Sequence, residues 1–386
     1  MSKKYERKKK GTMPVLAICY DFDRTLSPDD MQAQGYIQSV GYDVDSFWKK
    51  TNELAEKNNM DQISAYMLMM TQEAEGNLVL TEKALKEYGS KVTLFPGVKE
   101  WFERIREYGK EKGVIIEHYI ISSGIKEMIE GTEVADSFEK IYACSFYYND
   151  RGLAKWPAQI VNYTNKTQFL FRIEKGVLDV NDPGVNDYIS PEEIRVPFRN
   201  MVYIGDSDTD VPCMKLVNSS GGFSIGVYNS ETKDKAKVYK MMRENRIKYF
   251  ATADYSDGSE LDTLVKTIID RTAYNEALES VYYKCKQEYQ KVAMANDEEE
   301  NEKIDLLVDF ENSGSFARTH ELIQAMSTYK KWSNEQIEQL CNIAVNNSQV
   351  FYILRDKDVK KFYQKLLNGY KSDNENVVIV KNKISK

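Results

Sequence analysis

Histidine is almost missing from this chain: His118 and His320 are the two in 386 residues, too few for a histidine-based triad or a histidine-rich metal site. The cysteines Cys19, Cys144, Cys213, Cys285 and Cys341 are odd in number and scattered, with no Cys-x-x-Cys pair. That pattern argues against a disulfide framework and a zinc site, and suits reduced thiols in a cytoplasmic protein. No apolar run approaches the roughly 18 residues that a membrane-spanning helix needs. Pro-rich and Gly/Ser-rich linkers are absent, as are internal repeats. Positive charge is not in excess: a net charge of -7 argues against a dedicated nucleic-acid surface, while leaving room for a local patch. The basic start, Lys3 to Lys10, has no cleavage-site pattern behind it. A solvated tail over residues 1–11 is expected there.

What is present begins with Pro14-Val15-Leu16-Ala17-Ile18-Cys19-Tyr20, followed at once by Asp21-Phe22-Asp23-Arg24-Thr25-Leu26. An apolar run of this length, bounded by polar residues, reads as a buried parallel strand. Its two carboxylates therefore leave at the carboxyl end, where open α/β sheets hold their ligands. Two residues apart, they can share one pocket with different tasks: Asp21 to attack phosphorus and bind a metal, Asp23 to exchange a proton with the leaving group. A strand followed by an acidic Asx-type turn is the bland alternative.

The following stretch turns helical. Helix-spaced apolar residues run over Met31–Val40, Ser46–Asn58, Asp61–Glu75 and Thr81–Gly89, separated by turn signals such as Gly41-Tyr42-Asp43. After Phe95-Pro96-Gly97, a helix over Val98–Tyr108 leads to a second strand, Val114–Ile121. Strands at Ile141–Tyr147, Met201–Ile204 and Gly222–Val227 alternate with helices at Ile125–Glu130 and Lys166–Ile173, the pattern of a doubly wound parallel sheet. Strands stop beyond about Asp270. A long polar helix (Ala273–Ala295), an acidic run (Asn296–Glu302) and a helical module over Phe316–Tyr370 follow, with a capping-box spacing at Ser333-Asn334-Glu335-Gln336.

Two later strand ends carry polar signals. Ser122-Ser123-Gly124 follows the second strand, placing a hydroxyl and backbone N–H groups where a phosphate oxygen would sit; an ordinary N-cap explains Ser122 equally. Gly205-Asp206-Ser207-Asp208-Thr209-Asp210 follows a later strand, and Asp206 and Asp210, a helical turn apart, add hard oxygen ligands of the kind magnesium takes. Between them lie Lys166 and a rival, Lys175, either of which would neutralise a nucleophile and a phosphate.

Taken together, these residues resemble the haloacid dehalogenase superfamily of phosphohydrolases. Asp21, Asp23 and Thr25 match its Asp-x-Asp-x-Thr motif, Ser122 its second motif, Lys166 its lysine, and Gly205, Asp206 and Asp210 its Gly-Asp-x-x-x-Asp motif. The resemblance covers about residues 12–272, with all four motifs in order. It implies an α/β fold: a Rossmann-like parallel sheet core (12–27 and 95–272) with an inserted α-helical cap (28–94) of the phosphoserine-phosphatase type. The rest, 273–386, reads as a C-terminal all-α module. The implied chemistry is a Mg2+-dependent phosphatase, with Asp21 as nucleophile forming an aspartyl phosphate and Asp23 as general acid/base. Ser122, Ser123, Gly124 and Lys166 bind the phosphate; Asp21, Asp23 (through its backbone carbonyl) and Asp206 hold the metal; Thr25 and Asp210 support them. The second acid argues for a phosphatase or phosphomutase over a dehalogenase.

The substrate depends on the cap. No arginine lies between Ser27 and Leu94, which argues against a guanidinium clamp on a carboxylate or second phosphate; Arg24 is the one guanidinium near the pocket. Phe47, Trp48, Tyr66, Met67, Met69 and Met70 fit cap core better than a substrate slot, and His118 fits a packed position better than a catalytic one. A small phosphorylated metabolite is the expected substrate. The alternatives are a protein or nucleic-acid end recruited by the C-terminal module, or a non-catalytic interaction protein on the same fold. That module suits packing, self-association or a protein partner.

Overall fold

Val15–Tyr20 (β1) is apolar at all six positions and buried along its whole length, as a strand covered on both faces must be. The computed structural model of the chain describes residues 5–232, 234–293 and 298–385. The other strands are β2 (Ile115–Ile125), β3 (Lys140–Tyr148), β4 (Ala154–Gln159), β5 (Met201–Gly205), β6 (Phe223–Tyr228) and β7 (Tyr249–Thr252). Among the described residues they form one sheet in the order β4-β3-β2-β1-β5-β6-β7, parallel except for β4 against β3. The chain moves outward from β1 through β2 and β3, then returns to the other side of β1 with β5. The strand order thus reverses at β1, and the crevice at its carboxyl end is the ligand position of such a sheet.

Four helices fill the stretch 28–94 between β1 and β2: α1 (Tyr36–Ser39), α2 (Val44–Asn58), α3 (Gln62–Ala74) and α4 (Glu82–Gly89). Asp43, Asp61 and Thr81 cap the last three by accepting first-turn N–H groups. Met31–Val40, expected as one helix, is instead a 3-10 turn (Met31–Ala33) and the single turn α1; Gly35 between them has φ +127°, which no helix accommodates. The sheet-flanking helices are α5 (Val98–Glu111), α6 (Lys126–Gly131), α7 (Thr167–Lys175), α8 (Val211–Ser219), α9 (Ala236–Arg243) and α10 (Glu260–Ala293). The cap is seated where α4 meets α6. A Cβ on Gly89 would lie 1.9 Å from Met128 O, and one on Gly131 2.1 Å from Lys86 O, so the two backbones approach only as glycine pairs allow.

Two strands escape the sequence pattern. Pro157 makes β4 read as a loop, yet proline is tolerated on an edge, and β4 is the edge. β7 is four residues long, too short for an alternation to register. The long helix begins at Glu260 rather than Ala273, because Leu261, Val265, Ile268 and Ile269 are buried; positions 294–297, including the end of that expected helix and the start of the acidic run, lie outside the described residues.

The chain divides into two compact units: Met1–Ile189 with Glu193–Ala277, and Ser190–Glu192 with Leu278–Lys386. The second contains α11 (Glu298–Glu311), α12 (Phe316–Met326), α13 (Asn334–Asn346), α14 (Ser348–Ile353), α15 (Lys357–Leu366) and α16 (Glu375–Ser385) around its own core of residues such as Phe310, Leu340, Leu354, Tyr363 and Val380. Ser333 and Gln336 form the reciprocal capping box of α13.

The basic arm is not a free tail throughout. Arg7 places Nε and Nη2 each 2.7 Å from Asp182, and Lys8 Nζ lies 2.7 Å from Glu117 and 2.5 Å from Glu139; residues 1–4 lie outside the described set. Glu117 also accepts two hydrogen bonds from Arg195, at 2.6 and 2.7 Å. Burial raises its pKa, but Arg195, Lys8 and Tyr119 together outweigh that and hold it at about 2.

His118 is packed, as its mid-strand place suggested. Nδ1 is 3.0 Å from Tyr20 Oη, which itself accepts from Trp101 Nε1 at 2.7 Å; Nε2 is 3.3 Å from Phe102 O. A neutral ring that donates from Nε2 satisfies every group in this chain of bonds. Burial, then the charge of Arg106, push its pKa from 6.5 down to about 3. The unfolded chain therefore binds a proton that the folded one refuses, and stability is full above the unfolded pKa and falls as pH drops below it. At about pH 5 the expected loss is about 2 kcal/mol. Urea midpoints of the parent and of His118→Gln at about pH 7.5 and 5 check this: the variant should lack that loss, and an equal acid sensitivity in both proteins would refute it.

Candidate active site

Three adjacent strands end at the same crevice. β1 delivers Asp21 and Asp23, β2 delivers Ser122, Ser123 and Gly124, and β5 delivers Asp206, because β1 is hydrogen-bonded to both of its neighbours. Tyr20 continues straight into Asp21, whose N–H donates to Ile204 O at 3.0 Å, so the first carboxylate is fixed by the sheet itself. The chain then winds tightly: the N–H groups of Thr25, Leu26 and Ser27 all bond Phe22 O, and Arg24 sits at φ 58°. That left-handed residue turns Asp23 back toward the pocket. Met31 N–H donates to Asp23 Oδ1 at 2.8 Å, and Oδ2 lies so close to Gly124 that a Cβ there would come within 2.8 Å of it.

Lys166 is fully buried beneath the acids. Its Nζ is 2.7 Å from Asp210 Oδ1 and 3.3 Å from Asp21 Oδ1. Burial disfavours its charge, but Asp21 and Asp210 more than offset this and raise its pKa. Lys175, the rival, is elsewhere: it donates to Val185 O and Asp187 O at the end of α7. Asp210 has both oxygens engaged, Oδ1 by Lys166 and by Tyr203 Oη at 2.9 Å, Oδ2 by Ser207. Its task in this geometry is to hold the lysine. Ser122 Oγ accepts from Gly124 N–H at 3.1 Å, and Ser123 O accepts from Tyr66 Oη at 2.6 Å, tying the β2 turn to the cap. Thr25 is buried, with its carbonyl accepting from Tyr255 Oη at 2.8 Å.

Carboxylate oxygens of Asp21, Asp206 and Asp210 come within 4.8 Å of one another. Burial, then the Asp210 charge, raise Asp21 to about 6 against the pull of Lys166 and Ser122. Burial, then Asp210 and Asp21, raise Asp206 to about 7. Asp23 is pushed well above the usual carboxyl range by burial, followed by Asp30 and Asp21. Such crowding of hard oxygen donors, with one buried lysine to balance them, fits a divalent cation.

The cavity over these groups has a volume of about 480 Å³. From the cap it is lined by Trp48, Thr51 and Asn52 of α2 and Gln62, Ile63 and Tyr66 of α3. Phe47, Met67, Met69 and Met70 are cap core, whereas Trp48 and Tyr66 reach the cavity. Arg24 is at its rim, hydrogen-bonded to Asp30 at 2.9 Å. Tyr203, Asp30, Gln32 and Lys237 were not singled out in the sequence, since each belongs to an otherwise ordinary strand, turn or helix segment.

A family model described as haloacid dehalogenase-like hydrolase matches residues 18–215, just over half of the chain. The chain belongs to this family. As a haloacid dehalogenase-like hydrolase it has a similar counterpart in Borreliella burgdorferi, an uncharacterized protein 29% identical over 275 residues, covering 64% of this chain and 94% of that one. Among solved structures, this hydrolase is similar to a HAD family hydrolase of Salmonella enterica serovar Typhi (TM-score 0.44, 17% identity, 67% of this chain and 73% of that one). It is also similar to a probable phosphoserine phosphatase of Vibrio cholerae (TM-score 0.44, 12% identity, 68% and 67%). Among the described residues, no helix of this hydrolase is long and apolar enough to cross a membrane.

Proposed function

We propose that this hydrolase is a Mg2+-dependent phosphatase of a small phosphorylated metabolite, acting in the cytoplasm through an aspartyl-phosphate intermediate. The observation that carries this reading is the convergence of Asp21, Asp23, Ser122, Lys166 and Asp206 on one crevice, with Lys166 buried 3.3 Å from Asp21. An Asp21 oxygen attacks phosphorus in line, the bond to the leaving oxygen breaks, and Asp23 gives that oxygen its proton. Asp23 then takes a proton from water, the water oxygen attacks phosphorus, and the bond to Asp21 breaks, returning both carboxyls to their starting state. Lys166, Ser122 Oγ and the N–H groups of Ser123 and Gly124 are the charge-balancing groups for the phosphoryl oxygens. Asp21 and Asp206, with the backbone carbonyl of Asp23, would hold magnesium. When bound, the ion supplies positive charge to the phosphoryl oxygens.

The test is turnover of p-nitrophenyl phosphate by the purified full chain. Hydrolysis is expected with magnesium, to be lost with a chelator and restored by added magnesium. Turnover indifferent to the chelator would contradict the metal assignment.

A further inference from the structure

We infer that the leaving group of the substrate is an uncharged, hydroxyl-rich alcohol, of the sugar or polyol kind, held by the cap wall of the cavity. This inference rests on the phosphatase reading above. Among the described cap residues lining the cavity, Asp30 is ion-paired with Arg24, and the others, Gln32 and the side chains from α2 and α3, carry no charge. Its two rim cations are already engaged: Arg24 lies 2.9 Å from Asp30, and Lys237 lies 3.7 Å from Asp206. Each rim cation already faces an acid, so a carboxylate or second phosphate would compete with Asp30 or Asp206 for it.

What the wall has instead is unmet hydrogen-bonding capacity. Trp48 Nε1 and Ser123 Oγ are both buried without a partner among the described residues. The amides of Asn52 and Gln62 line the same cavity at exposed positions without a protein partner among the described residues, so a ligand can take the place of water on them. A buried donor left unpaired is costly, and a ligand that satisfies it recovers that cost. The indole N–H can only donate, so it needs an acceptor. A hydroxyl oxygen is one; an ammonium or trimethylammonium group is not, although Trp48 and Tyr66, edge to face at 5.9 Å, offer it aromatic surface. Amides and hydroxyls that donate and accept by turns match the alternating capacity of a polyol. The volume of about 480 Å³ suits a leaving group of monosaccharide size beside the phosphate.

The experiment compares kcat/KM of the full chain with magnesium on sorbitol phosphate, glucose phosphate and glycerol phosphate against phosphoserine, phosphocholine, fructose bisphosphate and p-nitrophenyl phosphate. At least one of the first three should exceed phosphoserine, phosphocholine and the bisphosphate by about tenfold or more. Trp48→Phe, which keeps the ring and removes the donor, should lower the ratio of polyol to aryl phosphate turnover by about tenfold. Gln62→Ala, at an exposed position where folding is not at stake, should lower it in the same direction. Absence of turnover on every ester, aryl phosphate included, would overturn the phosphatase reading and this inference with it. Aryl phosphate turnover with preference for phosphoserine, phosphocholine or the bisphosphate would overturn the polyol assignment alone, as would an unchanged ratio in both variants.

Discussion

Asp21→Asn is expected to lower phosphatase turnover by roughly four orders of magnitude or more, because it removes the nucleophile and not merely a charge. An amide at this position is close to isosteric, and its neighbours can still bond it: Phe22 N–H donates to Oδ1 at 2.9 Å. The fold should therefore survive. It should even be slightly easier to form without divalent cations, since Asp21 is held near pKa 6 by burial and by the Asp210 charge. Circular dichroism and a urea midpoint alongside the kinetic assay distinguish loss of chemistry from loss of structure. Turnover within about tenfold of the parent would rule out Asp21 as the attacking group, and Asp23 would have to be considered in its place.

Lys166→Met is the second large effect, and it acts on stability as well as activity. The ammonium is fully buried between two carboxylates, at 2.7 and 3.3 Å. Removing one member of a buried pair leaves the other uncompensated, at a cost of about 3–5 kcal/mol. Here two acids are left, within reach of a third, Asp206. Urea denaturation without divalent cations should show that loss, and turnover should fall by roughly a hundredfold or more. Adding Asp210→Asn to Lys166→Met removes one of the stranded charges and should recover much of the stability but none of the activity. If Lys166→Met were as stable as the parent, the lysine would not be the charge that lets these acids be buried.

How much of this was legible beforehand varies with the range of the interactions. β1 and the acids after it were readable because a strand buried on both faces is uniformly apolar and its end is abruptly polar. The helices α2, α3 and α4 were readable from apolar spacing and the turn signals between them, all local. β4 was not, because Pro157 breaks a strand everywhere except on an edge, and edge position is a property of the sheet. Gly35 likewise split a run whose apolar spacing alone read as one helix. The arm residues Arg7 and Lys8 looked like solvated charge; their partners Asp182, Glu117 and Glu139 are more than one hundred residues away.

The site divides in the same way. Asp21, Asp23, Ser122, Asp206 and Asp210 could be named from the order of short motifs, since each motif is a local strand end or helix start. Which lysine lies beside Asp21 could not, since Lys166 and Lys175 flank one helix and only the packing of α7 buries one of them against the acids. The unpaired Trp48 N–H and the uncharged α2 and α3 side of the cavity were equally beyond the sequence. By itself the sequence determined the chemical repertoire, through residue type and local spacing. The tertiary structure alone decided which of those groups are buried together, and burial is what converts a list of acids and a lysine into a charged site with strongly shifted pKa values.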